Sequence, residues 1–164
     1  MRMGVQRRTV SMRAALIAAA LLLLGAAVVW PHGSSETGLY AADPLRTPGV
    51  LNPDVTQATI HATICVRGWT KTIRPPTSYT NELKQKQMRE YGVRGAPSEY
   101  QEDHLISLEL GGHPIDPRNL WPEPYPRASE VDAIENELND QVCSGDLSLE
   151  QAQLNESALK HGAG

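Results

Sequence analysis

The sequence contains no phenylalanine, and its aromatic residues are limited to three tryptophans and five tyrosines. A hydrophobic core built from this chain must therefore be small and mainly aliphatic. The chain also lacks the cysteine and histidine spacing of a zinc site, a glycine-rich phosphate-binding loop and an internal repeat. No serine lies in the surroundings of a strained nucleophile turn. Zinc fingers, P-loop enzymes and serine hydrolases are therefore not indicated.

Positive charge is scarce beyond the first thirty residues. The whole chain has 15 Lys and Arg against 19 Asp and Glu. Four of the arginines lie before residue 14, so residues 31–164 keep 11 basic residues against all 19 acids, a net charge of −8. This balance disfavours broad electrostatic binding of nucleic acid, which relies on many phosphate contacts. A local basic patch remains at residues 67–94.

Residues 1–30 have the order of an export segment. They are basic up to Arg13 and then uncharged and apolar over residues 14–30. This order predicts a signal peptide or a single N-terminal membrane anchor, with the chain beyond it outside the cytoplasm. Residues 31–54, rich in Gly, Ser and Pro, predict a flexible linker. We therefore expect one exported domain over residues 55–161, either anchored in the cell envelope or secreted.

The two cysteines, Cys65 and Cys143, are consistent with an exported chain. One pair in an oxidising compartment favours a disulfide. Closing a loop of about 78 residues would stabilise the fold by on the order of 4 kcal/mol in the chain-entropy model. Two buried free thiols are the alternative.

The hydrophobic pattern predicts an α+β fold. The predicted elements are strands at 59–66, 104–107 and 119–121 and helices at 80–91, 127–142 and 149–160. Gly92 is expected to end the first helix, and Ser148 is expected to cap the last. Two short strands, joined by a Gly-Gly turn and followed by a helix, form a compact ββα unit.

Residues 99–124 concentrate the side chains with catalytic potential. Asp103 and His104 are adjacent, and Asn119 follows a Gly-Gly turn. Hydrolysis of a phosphodiester needs a base for water and a cation for the developing negative charge. His104, with an ordinary pKa of about 6.5, can accept a proton at neutral pH. Neighbouring side chains of a strand point to opposite faces, so Asp103 and His104 share one site only if the strand starts or bends at His104.

The Asp-His pair, the Gly-Gly pair and the Asn-Leu pair before a helix resemble the HNH, or ββα-metal, nuclease superfamily. The resemblance covers residues 99–145, and the strings DHLISLELGG and NLWPEPY are similar to those of small exported bacterial proteins. It implies a small ββα-metal core with flanking helices. It also implies His104 as the base, with Asp103, Asn119 and Asn139 holding Mg²⁺ or Mn²⁺. Asn139 departs from the pattern, because that helix position is usually His.

The function implied by the resemblance is that of a metal-dependent nuclease or phosphodiesterase. We expect a monomer without a small-molecule cofactor, held at the membrane by residues 14–30. Nucleic acid would approach along residues 67–94, where Arg89 and Arg94 are candidate contacts. The alternative is a non-catalytic envelope or secreted binding module on the same scaffold, which the net charge and Asn139 favour.

Each candidate residue also has a structural interpretation. His104 can be a buried histidine bonded to the backbone, and Asp103 can cap a turn. Asn119 can bond loop backbone through its side chain. Trp121 is expected to be a hydrophobic plug rather than a base-stacking platform, and Glu123 is expected to be solvated.

Overall fold

A computed structural model describes residues 41–162, which form a mixed α+β fold, as predicted. The helices of this part of the chain are α1 (Trp69–Ile73), α2 (Thr77–Tyr91), α3 (Arg127–Ser144) and α4 (Leu149–His161). Two strands, β1 (Tyr100–His104) and β2 (Leu120–Pro124), pair antiparallel, and α3 follows them directly.

The predicted signal or anchor at residues 1–30 and the first part of the predicted linker lie outside the described residues. Within residues 41–162, no helix combines the length and the apolar character needed to cross a bilayer.

The helices at 80–91, 127–142 and 149–160 are confirmed, with ends that shift by at most three residues. Gly92 terminates α2 with a φ of 68°, in the left-handed region that glycine adopts without strain. Ser148 caps α4, and its hydroxyl accepts a hydrogen bond from the backbone N–H of Gln151 at 3.2 Å.

The strands of the sheet are displaced from their predicted positions. The prediction of a strand at 104–107 is wrong beyond His104, where β1 ends, and the chain turns instead into a 3-10 segment at Leu108–Leu110. The returning strand continues through Pro122 and Pro124, which were expected to close it. In a two-stranded sheet every strand has a free edge, so a proline nitrogen can face away from the partner strand.

The strand predicted at 59–66 does not form. Residues 60–62 make a 3-10 turn, and local side-chain bonds satisfy the surrounding backbone. Thr59 Oγ1 donates to Asp54 O at 2.8 Å, and Thr63 Oγ1 donates to Thr59 O at 2.8 Å. Ile60 and Ile64, four residues apart, are buried together, which is a helical rather than a strand spacing. The alternation of β-branched residues was therefore misleading here.

The aliphatic core lies between this turn region, α3 and α4. It contains Ile60, Ile64, Ile106, Leu110, Leu138, Val142 and Leu149, so the expectation of a small aliphatic core is confirmed. The Cys65–Cys143 disulfide closes against it, with an S–S distance of 2.01 Å. It fastens the turn region to α3, as the sequence predicted. Ile134, an apolar residue of α3, is 40% exposed.

Residues 42–54 are packed against the domain, so the flexible linker predicted over 31–54 is wrong for this part. Ala42 and Thr47 are buried, and the backbone at Leu51 forms an isolated antiparallel bridge with Gly112. Ala42 N–H also donates to the carbonyl of Lys160 at 2.9 Å. The packed region therefore begins before the expected boundary at residue 55.

We predict that removal of the disulfide lowers the free energy of unfolding by about 4 kcal/mol, because the closed loop spans 78 residues. The measurement is denaturant unfolding of the chain and of the double variant Cys65→Ser/Cys143→Ser. Adding a reductant should not change the free energy of unfolding of the double variant. Equal stability of the two proteins would contradict the assigned role.

Candidate functional site

Asp103 and His104 reach the same cleft, although they are neighbours on β1. His104 is the last residue of the strand, and the chain bends there, which is the arrangement that a shared site requires. The cleft has a volume of about 310 Å³. Its charged or titratable lining residues are Arg74, Asp103, His104, Glu109, Asp132 and Glu135. The cleft is therefore acidic, with one arginine among its described lining residues.

His104 is held with one ring nitrogen turned away from its backbone partner. Its Nε2 lies 3.0 Å from the carbonyl oxygen of Pro114. Because a carbonyl only accepts, Nε2 must carry the proton, and Nδ1 keeps its lone pair. Nδ1 has no hydrogen-bond partner among residues 41–162, and only 5% of the residue is exposed. Burial lowers the pKa of His104, so its neutral form dominates at pH 7.

The Asp103 carboxylate is engaged from two sides. Lys160 Nζ donates to its Oδ2 at 3.0 Å, and Gln101 Nε2 donates to its Oδ1 at 3.2 Å. Burial opposes ionisation, but the charge of Lys160 and a hydrogen bond from Glu123 hold the pKa of Asp103 at about 2. Asp103 is therefore an anion that already has a cation as a partner.

Lys160, on α4, has no exposed surface and lies beneath the cleft. Its ammonium nitrogen is 2.6 Å from Glu135 Oε1, 3.4 Å from Glu156 Oε1 and 2.5 Å from the carbonyl oxygen of His104. Burial acts against the charge, but the surrounding carboxylates raise the pKa of Lys160 well above its ordinary value. We call Asp103, Glu135, Glu156 and Lys160 the Lys160 cluster.

Glu123 corrects a prediction, because it is fully buried rather than solvated. Its Oε1 lies 3.4 Å from Arg127 Nε, yet neither Glu123 oxygen has a hydrogen-bond donor partner among the described residues. A proton on Glu123, donated to the Asp103 carboxylate, removes one of the two adjacent negative charges. Burial and the neighbouring Asp103 raise the pKa of Glu123 to about 9, so this proton is retained at neutral pH.

Asn119 uses its side chain to hold the loop between the strands. Its Oδ1 accepts from Ile106 N at 3.0 Å, and its Nδ2 donates to the carbonyls of Ile106 and His113 at 3.0 and 3.1 Å. The turn must bear a glycine at 112, because a Cβ there would lie 1.7 Å from Ile106 O and 2.7 Å from Asn119 Nδ2. The amide is therefore occupied by backbone groups.

Asn139 does not line the cleft either. Its Nδ2 donates to the carbonyl of Glu109 at 2.7 Å and so connects α3 to the loop after β1. The position where the resemblance expects a metal-binding histidine is thus used for a backbone contact. Of the four residues predicted for the site, the cleft brings together Asp103 and His104.

The predicted ligands, as arranged, do not fit a divalent ion. Asp103 is paired with Lys160, Asn119 is occupied by the loop, and Asn139 lies outside the cleft lining. Within residues 41–162, no group of three or more His, Cys, Asp or Glu side chains is placed to hold a metal ion. The assignment of Mg²⁺ or Mn²⁺ to Asp103, Asn119 and Asn139 stays a prediction.

The basic residues predicted to contact substrate lie elsewhere on the surface. Arg89 and Arg94 are exposed but do not line the cleft, whereas Arg74 does. Arg74 belongs to the basic segment 67–94, but nothing in the sequence distinguishes it from its neighbours. Lys160 was also missed, and its only signal was the acid at Glu156, four residues earlier on the same helix.

Comparisons with known protein families, curated proteins and solved structures find no match for this chain. The geometry of the cleft is therefore the basis for a functional assignment.

Asn119→Ala should lower the free energy of unfolding by about 2–4 kcal/mol, because two buried backbone groups and one partly buried carbonyl lose their partner. Denaturant unfolding with and without a chelator measures the loss, which should be the same in both conditions. The control is Asn81→Ala, at an exposed position of α2, which should change little. A loss seen only without chelator would assign Asn119 to a metal instead.

Glu102, on β1, has two buried carboxyl oxygens without a hydrogen-bond partner in the described part of the chain. Burial raises its pKa from 4.5 to about 8, against the opposing charge of Lys84. Between these values the folded state keeps a proton that the unfolded state has lost. The contribution of Glu102 to the free energy of unfolding therefore falls as pH rises from about 4.5 to about 8.

Glu102→Gln should remove this dependence. We expect the variant to exceed the unsubstituted protein in stability at pH 9 by on the order of 1–3 kcal/mol, and to match it at pH 4. Unfolding curves across this pH range provide the measurement, with Glu82→Gln at an exposed site of α2 as the matched control. A constant difference at all pH values would show that Glu102 is not protonated in the fold.

Proposed function

We propose that this domain is an exported HNH-like phosphodiesterase that acts on nucleic acid, with His104 as the general base. The observation that carries this proposal is the position of His104, which lines the cleft with its Nε2 3.0 Å from Pro114 O and its Nδ1 without a hydrogen-bond partner among residues 41–162. The order β1, β2, α3, with the Asp-His pair at the end of β1, supports the ββα assignment.

His104 can take the proton of a water molecule at Nδ1 while the water oxygen bonds to phosphorus. The bond between phosphorus and the leaving oxygen then breaks, and that oxygen needs a proton from solvent or from the imidazolium. The Asp103 carboxylate favours the charged form of His104, because it raises the pKa of His104 against the effect of burial. Asp103 therefore supports the proton transfer without touching the phosphate.

Arg74 is suited to hold the phosphate. Arg74 lines the cleft, and its side chain forms no ion pair or hydrogen bond with the described residues. A planar guanidinium matches the geometry of phosphate oxygens. The acidic residues of the cleft repel a polyanion, so access depends on Arg74 or on bound cations. The Mg²⁺ or Mn²⁺ that the HNH resemblance implies would supply Lewis-acid charge, but the predicted ligands do not fit it, so no step is assigned to it.

Export of the domain is part of the proposal. The Cys65–Cys143 disulfide is compatible with an oxidising compartment, and residues 14–30 supply the apolar segment that would direct or anchor the chain.

The activity is tested with the purified full-length chain, plasmid DNA and RNA, each with Mg²⁺, with Mn²⁺ and with chelator. We expect cleavage that His104→Ala reduces by about 10²–10⁴-fold, the range for a general base. His61→Ala, at an exposed position outside the cleft, is the matched control and should keep full activity. Equal cleavage by the His104 variant would remove His104 from the mechanism.

A non-catalytic binding module is the second candidate, and the pairing of Asp103 with Lys160 favours it. The side chains of Asn119 and Asn139 are bonded to backbone groups, which also favours the binding module. Intact DNA and RNA under every condition, with correctly folded protein, would support the module over the enzyme.

A further inference from the structure

The ammonium group of Lys160 lies among oxygen atoms in the way that a bound cation does. Four oxygens surround it: Asp103 Oδ2 at 3.0 Å, Glu135 Oε1 at 2.6 Å, Glu156 Oε1 at 3.4 Å and the His104 carbonyl at 2.5 Å. They come from β1, α3 and α4. Lys160 has no exposed surface, so water does not compete for these contacts. Carboxylate and carbonyl oxygens are the ligands that hard divalent cations also select.

The carboxyl groups around this position explain why it favours a cation. Asp103, Glu135 and Glu156 are brought within contact of one point, and Glu123 lies against Asp103. Buried carboxylates at such separations repel one another strongly unless a positive charge or protons intervene. Glu156 is additionally fixed, since both of its oxygens accept from Ser107 N at 2.9 and 3.0 Å. Glu156 is thus held by a contact that does not involve Lys160.

We propose that the Lys160 side chain is the resident cation of this cluster and excludes divalent metal from Asp103. A further consequence is that shortening or neutralising Lys160 opens a site for Mn²⁺ or Mg²⁺ bounded by Asp103, Glu135 and Glu156. Lys160 then acts as a positioning residue that fixes the Asp103 carboxylate and the His104 backbone. This inference accounts for the misfit between the predicted ligands and a divalent ion. It does not depend on phosphodiesterase activity.

The first test uses the unsubstituted full-length chain. Mn²⁺ is titrated against it by calorimetry and by thermal unfolding, with Asp103→Asn in parallel. We expect the unsubstituted chain to bind no more Mn²⁺ than Asp103→Asn does. Stoichiometric Mn²⁺ binding that Asp103→Asn abolishes would overturn the proposal, because Lys160 would then not exclude the metal. This result is independent of how any Lys160 variant folds.

The second test uses Lys160→Met, which removes the charge and, being one atom shorter, leaves the position of the ammonium nitrogen empty. We expect this variant to bind one Mn²⁺. At saturation its thermal unfolding midpoint should rise by at least about 4 °C relative to the same variant without metal. Adding Asp103→Asn should abolish the rise. Lys86→Met, which removes an exposed ion pair with Glu90, is the control and should gain no site. If Lys160 had only a structural role, Lys160→Met would lose stability and would gain no metal binding.

If Lys160→Met does not fold without metal, Lys160→Met/Glu156→Gln replaces it, because glutamine reduces the unbalanced charge and still accepts from Ser107 N. Mn²⁺ binding by either folded variant, or folding of Lys160→Met only when Mn²⁺ is present, supports the proposal. A folded variant that binds no Mn²⁺ contradicts it. Absence of nuclease activity affects the proposed function alone, since every readout here is binding or stability.

Discussion

The buried ammonium of Lys160 connects three parts of the structure that are far apart in sequence. It bonds to Asp103 and the His104 carbonyl on β1, to Glu135 on α3 and to Glu156 on its own helix. A buried ion pair gives little net stability over an apolar contact, but removal of one partner leaves uncompensated charge and is costly. The position of α4 beneath the cleft is therefore tied to the ionisation of Asp103. His104 is the last residue of β1, and its carbonyl accepts from Lys160, so the orientation of His104 depends on the same contacts.

The sequence was informative wherever local pattern and tertiary packing agreed. The helices at 77–91, 127–144 and 149–161 carry their end signals in the chain, and the two cysteines left one intramolecular pairing. The error at 59–66 came from threonines, because a threonine that alternates with isoleucine can satisfy local backbone as readily as it can join a strand. Residues 42–54 lacked any periodic pattern, and their burial depends on contacts with distant residues such as Lys160.

The site was predictable in part. The adjacency of Asp103 and His104 and the structural alternative for Asn119 could be stated from the motif alone. The structural alternative for Asn119 is confirmed, because its side chain bonds to backbone groups of the loop. The burial of Glu123 could not be foreseen, because a glutamate between two prolines resembles a solvated loop. Its environment is set by Asp103 on the paired strand and by Arg127 on α3. Lys160, 56 residues from His104, has no local signal for its role.

The bond between Ala42 N–H and the Lys160 carbonyl places residues near the two ends of the described range side by side. His161 adds a second contact there, since its Nε2 lies 2.9 Å from Thr47 O. Domains whose ends meet in this way tolerate insertion into a loop of another protein and circular permutation. New ends could then be opened at an exposed turn such as residues 94–96, remote from the cleft lining. The segment around Ala42 and the end of α4 therefore lie at one place on the domain.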